Sequence, residues 1–262
     1  VFHYIPPQVW ASRKWRIKGI KKYVDEVLCI FPFEIEMYQK EGINVHYCGH
    51  PLIKQLPEKA DREQFFAKHG LDTTRPLGSI FPGSRTIELR FLANTFIKSA
   101  KQLQKKHPEI QFCISHAPNL SDDIFDKYIN GTDFKVIKGE NQALLSISDS
   151  LILASGTVAL EAALYQIPMI IGYKGPWILY LAYLLVRCIK KVSLPNIITG
   201  EDIVPELIQA KFNTENICYE TEKNLYNKEY RIGFIKALGM VKEKLSDKYS
   251  AEEVANEIIK AL

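Results

Sequence analysis

The sequence has no CxxC pair, no internal repeat, no low-complexity tract and no apolar run long enough to span a bilayer, and each absence removes a class of protein. Its five cysteines (Cys29, Cys48, Cys113, Cys188, Cys218) are scattered. An odd count without a secretory signal gives no disulfide framework and reads as reduced packing residues in a cytoplasmic protein. The six histidines (His3, His46, His50, His69, His107, His116) stand at no ligand spacing, so neither a metal nor another cofactor is expected. A formal charge of +4, without a basic stripe interleaved with aromatics, is too small to make nucleic acid an expected partner. The chain opens on Val1-Phe2-His3-Tyr4-Ile5, a strand-like run with no initiator methionine and no targeting segment. It therefore reads as a protein lacking its front portion.

What is present is an α/β pattern. With 262 residues, 47% of them apolar and 24% charged, the chain can bury a core as one large domain or two small ones, and disorder is excluded. Residues 1–56 read as a strand, the Pro6-Pro7 turn, a basic helical stretch (Arg13 to Val24), a strand (Glu26 to Ile30), a short helix after Phe31-Pro32-Phe33-Glu34, and a strand ending at Gly49-His50-Pro51. The stretch from Pro51 to Arg62 is the candidate linker. From Arg75, apolar strands alternate with amphipathic helices: Leu77–Phe81, helix 86–106, Ile110–Ser115, helix 121–129, Phe134–Ile137, helix 141–147, Ser150–Ala154, helix 157–166 and Pro168–Gly172. Such alternation predicts βαβ units and a Rossmann-like parallel sheet covered on both faces. After Val204 the pattern reads as mainly helical, ending in stretches 229–246 and 251–261. The expected division is 1–56, 57–228 and 229–262.

Two strand-to-helix turns carry the chemistry. Phe81-Pro82-Gly83-Ser84-Arg85 and Ala154-Ser155-Gly156-Thr157 each follow a buried strand and open a helix, where small residues admit a ligand to the backbone and free amides attract phosphate. Glu161, four residues after Thr157, falls on the same helix face, suited to accept from sugar hydroxyls. Arg85 is a cation at a helix start, a place it disfavours unless an anion visits; an exposed arginine paired with Glu88 is the plainer alternative. Together the turns point to a bound phosphorylated ligand and a nucleotide pocket.

Segment 176–189 (PWILYLAYLLVRCI) is nearly all apolar and flanked by cations, yet shorter than the roughly 20 residues a span requires. It reads either as a buried helix, as an interfacial helix meeting anionic headgroups, or as a helix lining a site for lipid chains.

His3-Tyr4, Pro7-Gln8-Val9-Trp10-Ala11, Phe31-Pro32-Phe33-Glu34, Gly49-His50-Pro51, Pro82-Gly83-Ser84-Arg85, Ala154-Ser155-Gly156-Thr157 through Glu161, and Ser193-Leu194-Pro195-Asn196 occur in one order from Val1 to about residue 210. In this order they resemble the lipid-A-disaccharide synthases. The resemblance implies an inverting, metal-independent glycosyltransferase of the GT-B architecture, peripheral on the inner face of the bacterial inner membrane. The implied reaction joins UDP-2,3-diacylglucosamine to 2,3-diacylglucosamine 1-phosphate (lipid X), giving a β-1,6-linked lipid A disaccharide 1-phosphate and UDP. Membrane contact is expected through 176–189.

By that resemblance Gly83, Ser84 and Arg85 form the diphosphate-facing turn, with Arg85 offsetting the charge that grows on departing UDP. Ser155, Gly156 and Thr157 are expected to serve the phosphates and Glu161 the ribose hydroxyls. Asn196 is a candidate polar contact, with service to its own turn as the alternative. Tyr173 and Trp10 read as core residues, His50 as a turn histidine bonded to backbone, and the Lys14–Lys22 cluster as a solvated helix face. Most of the family's N-terminal domain is expected to be absent before Val1, and no general base is assigned. The competing readings are a UDP-sugar epimerase or another GT-B transferase, and a non-catalytic, membrane-associated nucleotide-binding module.

Overall fold

A computed structural model describes residues 1–10, 14–177, 180, 191–245 and 248–261. Among the described residues two parallel sheets form. Parallel neighbours need a crossover between them, and the helical periodicities supply it. The smaller sheet has the order β1 (Phe2–Tyr4), β2 (Glu26–Cys29), β3 (Val45–Tyr47). Its crossovers are α1 (Ile17–Tyr23), entered by a 3-10 turn at Lys14–Arg16, and α2 (Phe33–Lys40). Its core is Val9, Ile17, Ile20, Val27, Cys29, Tyr38 and Ile43.

Two short helices, α3 (Leu52–Gln55) and α4 (Arg62–His69), lead to the larger sheet. Its strands are β4 (Leu77–Phe81), β5 (Gln111–His116), β6 (Lys135–Lys138), β7 (Ser150–Ala154), β8 (Met169–Tyr173) and β9 (Glu206–Ile208). They lie in the order β6-β5-β4-β7-β8-β9. Crossovers run through α5 (Thr86–Lys106), α6 (Asp122–Ile129), α7 (Asn141–Ile147), α8 (Val158–Leu164) and α9 (Leu194–Thr199). The chain steps outward from β4 to β6, then returns to the other side of β4 as β7. The point of reversal therefore lies between β4 and β7, paired from Gly78↔Ser150 to Phe81↔Leu153.

Strand alternation divides the core. Leu77 and Phe81 face one layer with Leu151, Leu153, Met169 and Ile171, while Ile80, Ile114, Ile152 and Ile170 face the other. Helix α5 covers that second layer, burying Leu89, Leu92, Ala93, Phe96, Ala100 and Leu103 at the spacing of one helical stripe. Helices α10 (Thr214–Tyr226) and α11 (Lys228–Leu245) complete the packing.

The last helix, α12 (Ser250–Lys260), returns to the small sheet. The hydroxyls of Tyr4 and Ser250 lie 2.8 Å apart, His46 Nε2 meets Glu253 Oε2 at 3.3 Å, and Lys248 Nζ donates to the Tyr47 carbonyl at 3.2 Å. The Tyr47 hydroxyl also donates to the Leu245 carbonyl. Gly49 makes this crossing possible. Its φ is +84°, and an added Cβ would stand 2.7 Å from the Lys248 carbonyl oxygen.

Three features depart from the sequence reading. Strand β9 lies where the pattern reads as helical, because three residues starting with a glutamate carry no alternation signal. Helix α3 interrupts the expected linker, and α4 follows it, capped by Asp61, which accepts from Gln64 N–H at 3.0 Å. Most of segment 176–189 lies outside the described residues. Of its aromatics, Trp177 is 56% exposed and its ring meets that of Tyr180 edge-on at 5.9 Å.

Candidate functional site

Because β4 and β7 are neighbours, the turns that leave their carboxyl ends lie side by side. They bound one cleft of about 410 Å³, lined by Gly83, Ser84, Arg85, Ser155, Gly156, Thr157 and Glu161 among the expected residues. This is the crevice beyond the carboxyl ends at the point of reversal, where ligands of open α/β sheets sit. A more open concavity of about 760 Å³ lies off this crevice, beside β9, α10 and α11. Polar groups that line it serve one another: Glu206 accepts from Asn196 at 2.9 Å, and Lys223 pairs with Glu220 at 3.0 Å. The smaller cleft has the better claim, since it lies at the carboxyl ends of β4 and β7 at the point of reversal, with Gly156 and Thr157 exposed to it.

The first turn is held from two sides. Gly83 has φ +106°, which only glycine adopts freely, and an added Cβ would stand 2.3 Å from Glu88 Oε2. Oε2 of Glu88 accepts from the N–H of Ser84 at 2.8 Å and of Arg85 at 3.2 Å. Its Oε1 stands 3.4 Å from Nη1 of Arg85. Asn119 Nδ2 donates to the Ser84 carbonyl at 2.5 Å. The two amides expected to be open to a ligand are thus already engaged by a carboxylate. The Arg85 side chain is 76% exposed, pairs with Glu88 as the plainer alternative has it, and borders the cleft.

In the second turn, Gly156 and Thr157 are exposed to the cleft. The Ser155 amide instead donates to the Gly172 carbonyl at 3.2 Å, extending the β7–β8 ladder, and its Oγ to the Val192 carbonyl at 3.5 Å. Only part of the Ser155 reading therefore survives, because its backbone donor belongs to the sheet. Glu161 follows one turn into α8. Burial raises its carboxyl pKa, and a hydrogen bond with Gln142 opposes that.

Asn196 does not line the cleft. It is 1% exposed, with Nδ2 donating to the Val204 carbonyl and Glu206 Oε1, both at 2.9 Å, while Oδ1 accepts from Val204 N–H at 2.8 Å. Ser193 also gives its amide and hydroxyl to Glu206 Oε1, at 2.8 and 2.7 Å. The Ser193-Leu194-Pro195-Asn196 motif is a clasp that ties α9 to β9 around one carboxylate. This corrects the reading of Asn196 as a cleft contact.

His50 is buried, accepts from Leu52 N–H at Nδ1 (3.2 Å), and is held down to a pKa of about 4 by desolvation. Trp10 packs edge-on against Phe31 and Phe33 and donates to Glu34 at 3.0 Å, as a core residue. Lys18, Lys21 and Lys22 are exposed while Ile17 and Ile20 are buried, which makes the basic stretch a solvated face. Tyr173 differs from expectation: at the end of β8 it is 40% exposed and outside the core.

The sequence reading missed Glu88, Ser115 and Asn141 as cleft residues; Ser115 Oγ lies 2.8 Å from Asn141 Oδ1. Ser115 stands near the carboxyl end of β5 and Asn141 opens α7. The rule that located the two glycine turns therefore covers these two as well.

Parallel sheets joined in this order have the GT-B architecture of two Rossmann-like units. The UDP-GlcNAc 2-epimerase of Neisseria meningitidis, solved with UDP-GlcNAc, superposes with a TM-score of 0.62 at 14% identity, over 90% of this chain and 62% of that one. WaaG, described as a glycosyltransferase involved in lipopolysaccharide biosynthesis, superposes with a TM-score of 0.51 at 15% identity, over 98% and 74%. At such identities the likeness shows the fold alone.

Sequence narrows the class. The family described as lipid-A-disaccharide synthetase matches residues 1–259. The lipid-A-disaccharide synthase of Geobacter sulfurreducens is 36% identical over 265 residues, covering 100% of this chain and 69% of that relative. The chain belongs to the lipid-A-disaccharide synthase family, the glycosyltransferases of lipid A biosynthesis. The epimerase alternative shares the fold and not the family.

Proposed function

We propose that the cleft between the β4 and β7 turns holds the UDP half of UDP-2,3-diacylglucosamine, and that the chain forms the donor side of transfer to 2,3-diacylglucosamine 1-phosphate. In that reaction the acceptor's 6-hydroxyl oxygen attacks the donor's anomeric carbon from the face opposite UDP. The bond from that carbon to the β-phosphate oxygen breaks, UDP leaves with the electron pair, and the hydroxyl proton passes to a base. The product linkage is β-1,6.

Negative charge grows on the β-phosphate as the bond breaks. Arg85, planar and permanently charged, meets it at the rim of the cleft, and the Gly156–Thr157 turn adds backbone and hydroxyl donors at a helix start. Glu161 accepts from the ribose hydroxyls, where hydrogen bonds offset the burial that disfavours its charge. The observation that carries this reading is the pairing of β4 with β7, which brings seven of the eight expected residues around one cleft.

Both substrates carry acyl chains, so the reaction belongs at a lipid surface. Among the described residues no helix is long and apolar enough to cross a membrane. What supports peripheral attachment on the inner face of the bacterial inner membrane is the family and its acylated substrates, and the proposed contact is segment 176–189, where Trp177 is exposed. Calorimetric titration of UDP into the chain, with Arg85→Ala alongside, tests the nucleotide assignment. Binding that weakens in the variant supports it, and no binding by the folded wild-type chain refutes it.

A further inference from the structure

Glu88, the third residue of α5, closes a capping box over the first turn, so the amides that the UDP reading offers to a diphosphate are held by a carboxylate of the same chain. Glu88 Oε2 accepts from both Ser84 and Arg85 N–H while Oε1 lies beside the Arg85 guanidinium. Two converging amides and a guanidinium are the donor set expected around a phosphate. The absence of a side chain at Gly83 leaves room for the Glu88 carboxylate to fold back over the turn. Glu88 also borders the cleft itself, so a diphosphate drawn there meets its charge whichever oxygen approaches first.

We propose that Glu88 is a built-in competitor for the diphosphate of the nucleotide. Its carboxylate yields the Ser84 and Arg85 amides as the diphosphate arrives and reclaims them as UDP departs. This rests on the UDP reading of the cleft. The consequence is kinetic as well as thermodynamic. A transferase must release UDP after each turnover, and an internal anion that occupies the same donors keeps the product from being held too long. Arg85 remains charged throughout and exchanges one anionic partner for another, so the turn is never left with uncompensated donors.

The test is titration of UDP, and separately of uridine, into the wild-type chain and Glu88→Gln. Glutamine keeps an oxygen that can accept from the turn but removes the charge. UDP should bind Glu88→Gln about fivefold tighter or more, the factor that one unit charge commands over another at about 4 Å in water. Uridine, which has no phosphate, should bind both equally and so reports on the integrity of the pocket. In turnover assays the variant should show stronger product inhibition by UDP, with the same direction and a similar factor.

The quantity to compare is the ratio of UDP to uridine affinity within each protein, which cancels a general loosening of the cleft. If Glu88→Gln does not fold, Glu88→Ala takes its place and the same ratio is read. A ratio unchanged or lowered by removal of the charge overturns the proposal and makes Glu88 a brace for the turn. A folded wild-type chain that binds no UDP overturns the nucleotide reading itself, and the proposal with it.

Discussion

Two buried titratable groups at the edge of the small sheet oppose each other in their response to pH, and the opposition is open to measurement. Glu34 is 1% exposed, accepts from Trp10 Nε1 at 3.0 Å and Phe31 N–H at 3.2 Å, and is raised by desolvation from 4.5 to about 7. His50, against the Phe31 ring, is lowered by desolvation from 6.5 to about 4. Between 4.5 and 7 the folded chain holds the Glu34 proton more firmly than the unfolded chain does, so this group's contribution to stability falls as pH rises through that window. Between 4 and 6.5 the unfolded chain binds the His50 proton more firmly, so that contribution rises with pH. From pH 8 to pH 5, linkage gives a gain of about 2.5 kcal/mol from Glu34 and a loss of about 2 kcal/mol from His50. The two nearly cancel.

Glu34→Gln keeps an acceptor for Trp10 and Phe31 but abolishes the titration. Relative to wild type, its stability should therefore fall by about 2.5 kcal/mol on going from pH 8 to pH 5. His50→Asn should shift the other way by about 2 kcal/mol. Urea unfolding at both pH values and constant ionic strength measures each difference, and the comparison with wild type removes the contributions of all other groups. A wild-type-to-variant difference that is the same at pH 5 and pH 8 would refute the reasoning.

Other perturbations act on the cleft and on the chain crossing. Arg85→Ala should lower transfer by about a hundredfold, as for loss of one donor to a developing anion, while leaving the unfolding midpoint in place, because the side chain is 76% exposed. Turnover equal to wild type would remove Arg85 from the mechanism. Glu161→Gln should weaken UDP binding by about 1–3 kcal/mol through loss of charge-assisted hydrogen bonds. It should also erase the preference for UDP over its 2′,3′-dideoxy analogue, and a preference that persists would reassign the residue. Gly49→Ala places a Cβ against the Lys248 backbone at a positive φ; limited proteolysis should then release the segment that carries α12 faster than from wild type, and equal rates would show that the crossing tolerates the methyl group.

The larger sheet was legible wherever elements are long or fully buried. Strands Leu77–Phe81 and Ser150–Ala154 and helices 86–106 and 141–147 have the bounds read from the sequence, because buried parallel strands are continuous apolar runs and α5 repeats its stripe over 21 residues. The two turns were legible for a related reason: glycine and serine at strand ends mark where a backbone must stay open. What escaped depends on partners distant in sequence or on competition between partners. Asn196 looked like a free loop amide because Glu206, which holds it, arrives on a strand too short to show periodicity. Glu88 looked like a surface partner for Arg85, and its second role, capping the amides of Ser84 and Arg85, depends on the fold of the turn at Gly83.

Among the described residues, the chain leaves the small sheet after β3, and Leu245 and Lys248, which flank its return as α12, meet Tyr47 and Gly49. The Tyr47–Gly49 clasp is thus a stitch between chain segments about two hundred residues apart: the Tyr47 hydroxyl holds the Leu245 carbonyl, the Lys248 ammonium holds the Tyr47 carbonyl, and only a residue without a side chain at position 49 lets the two backbones lie this close.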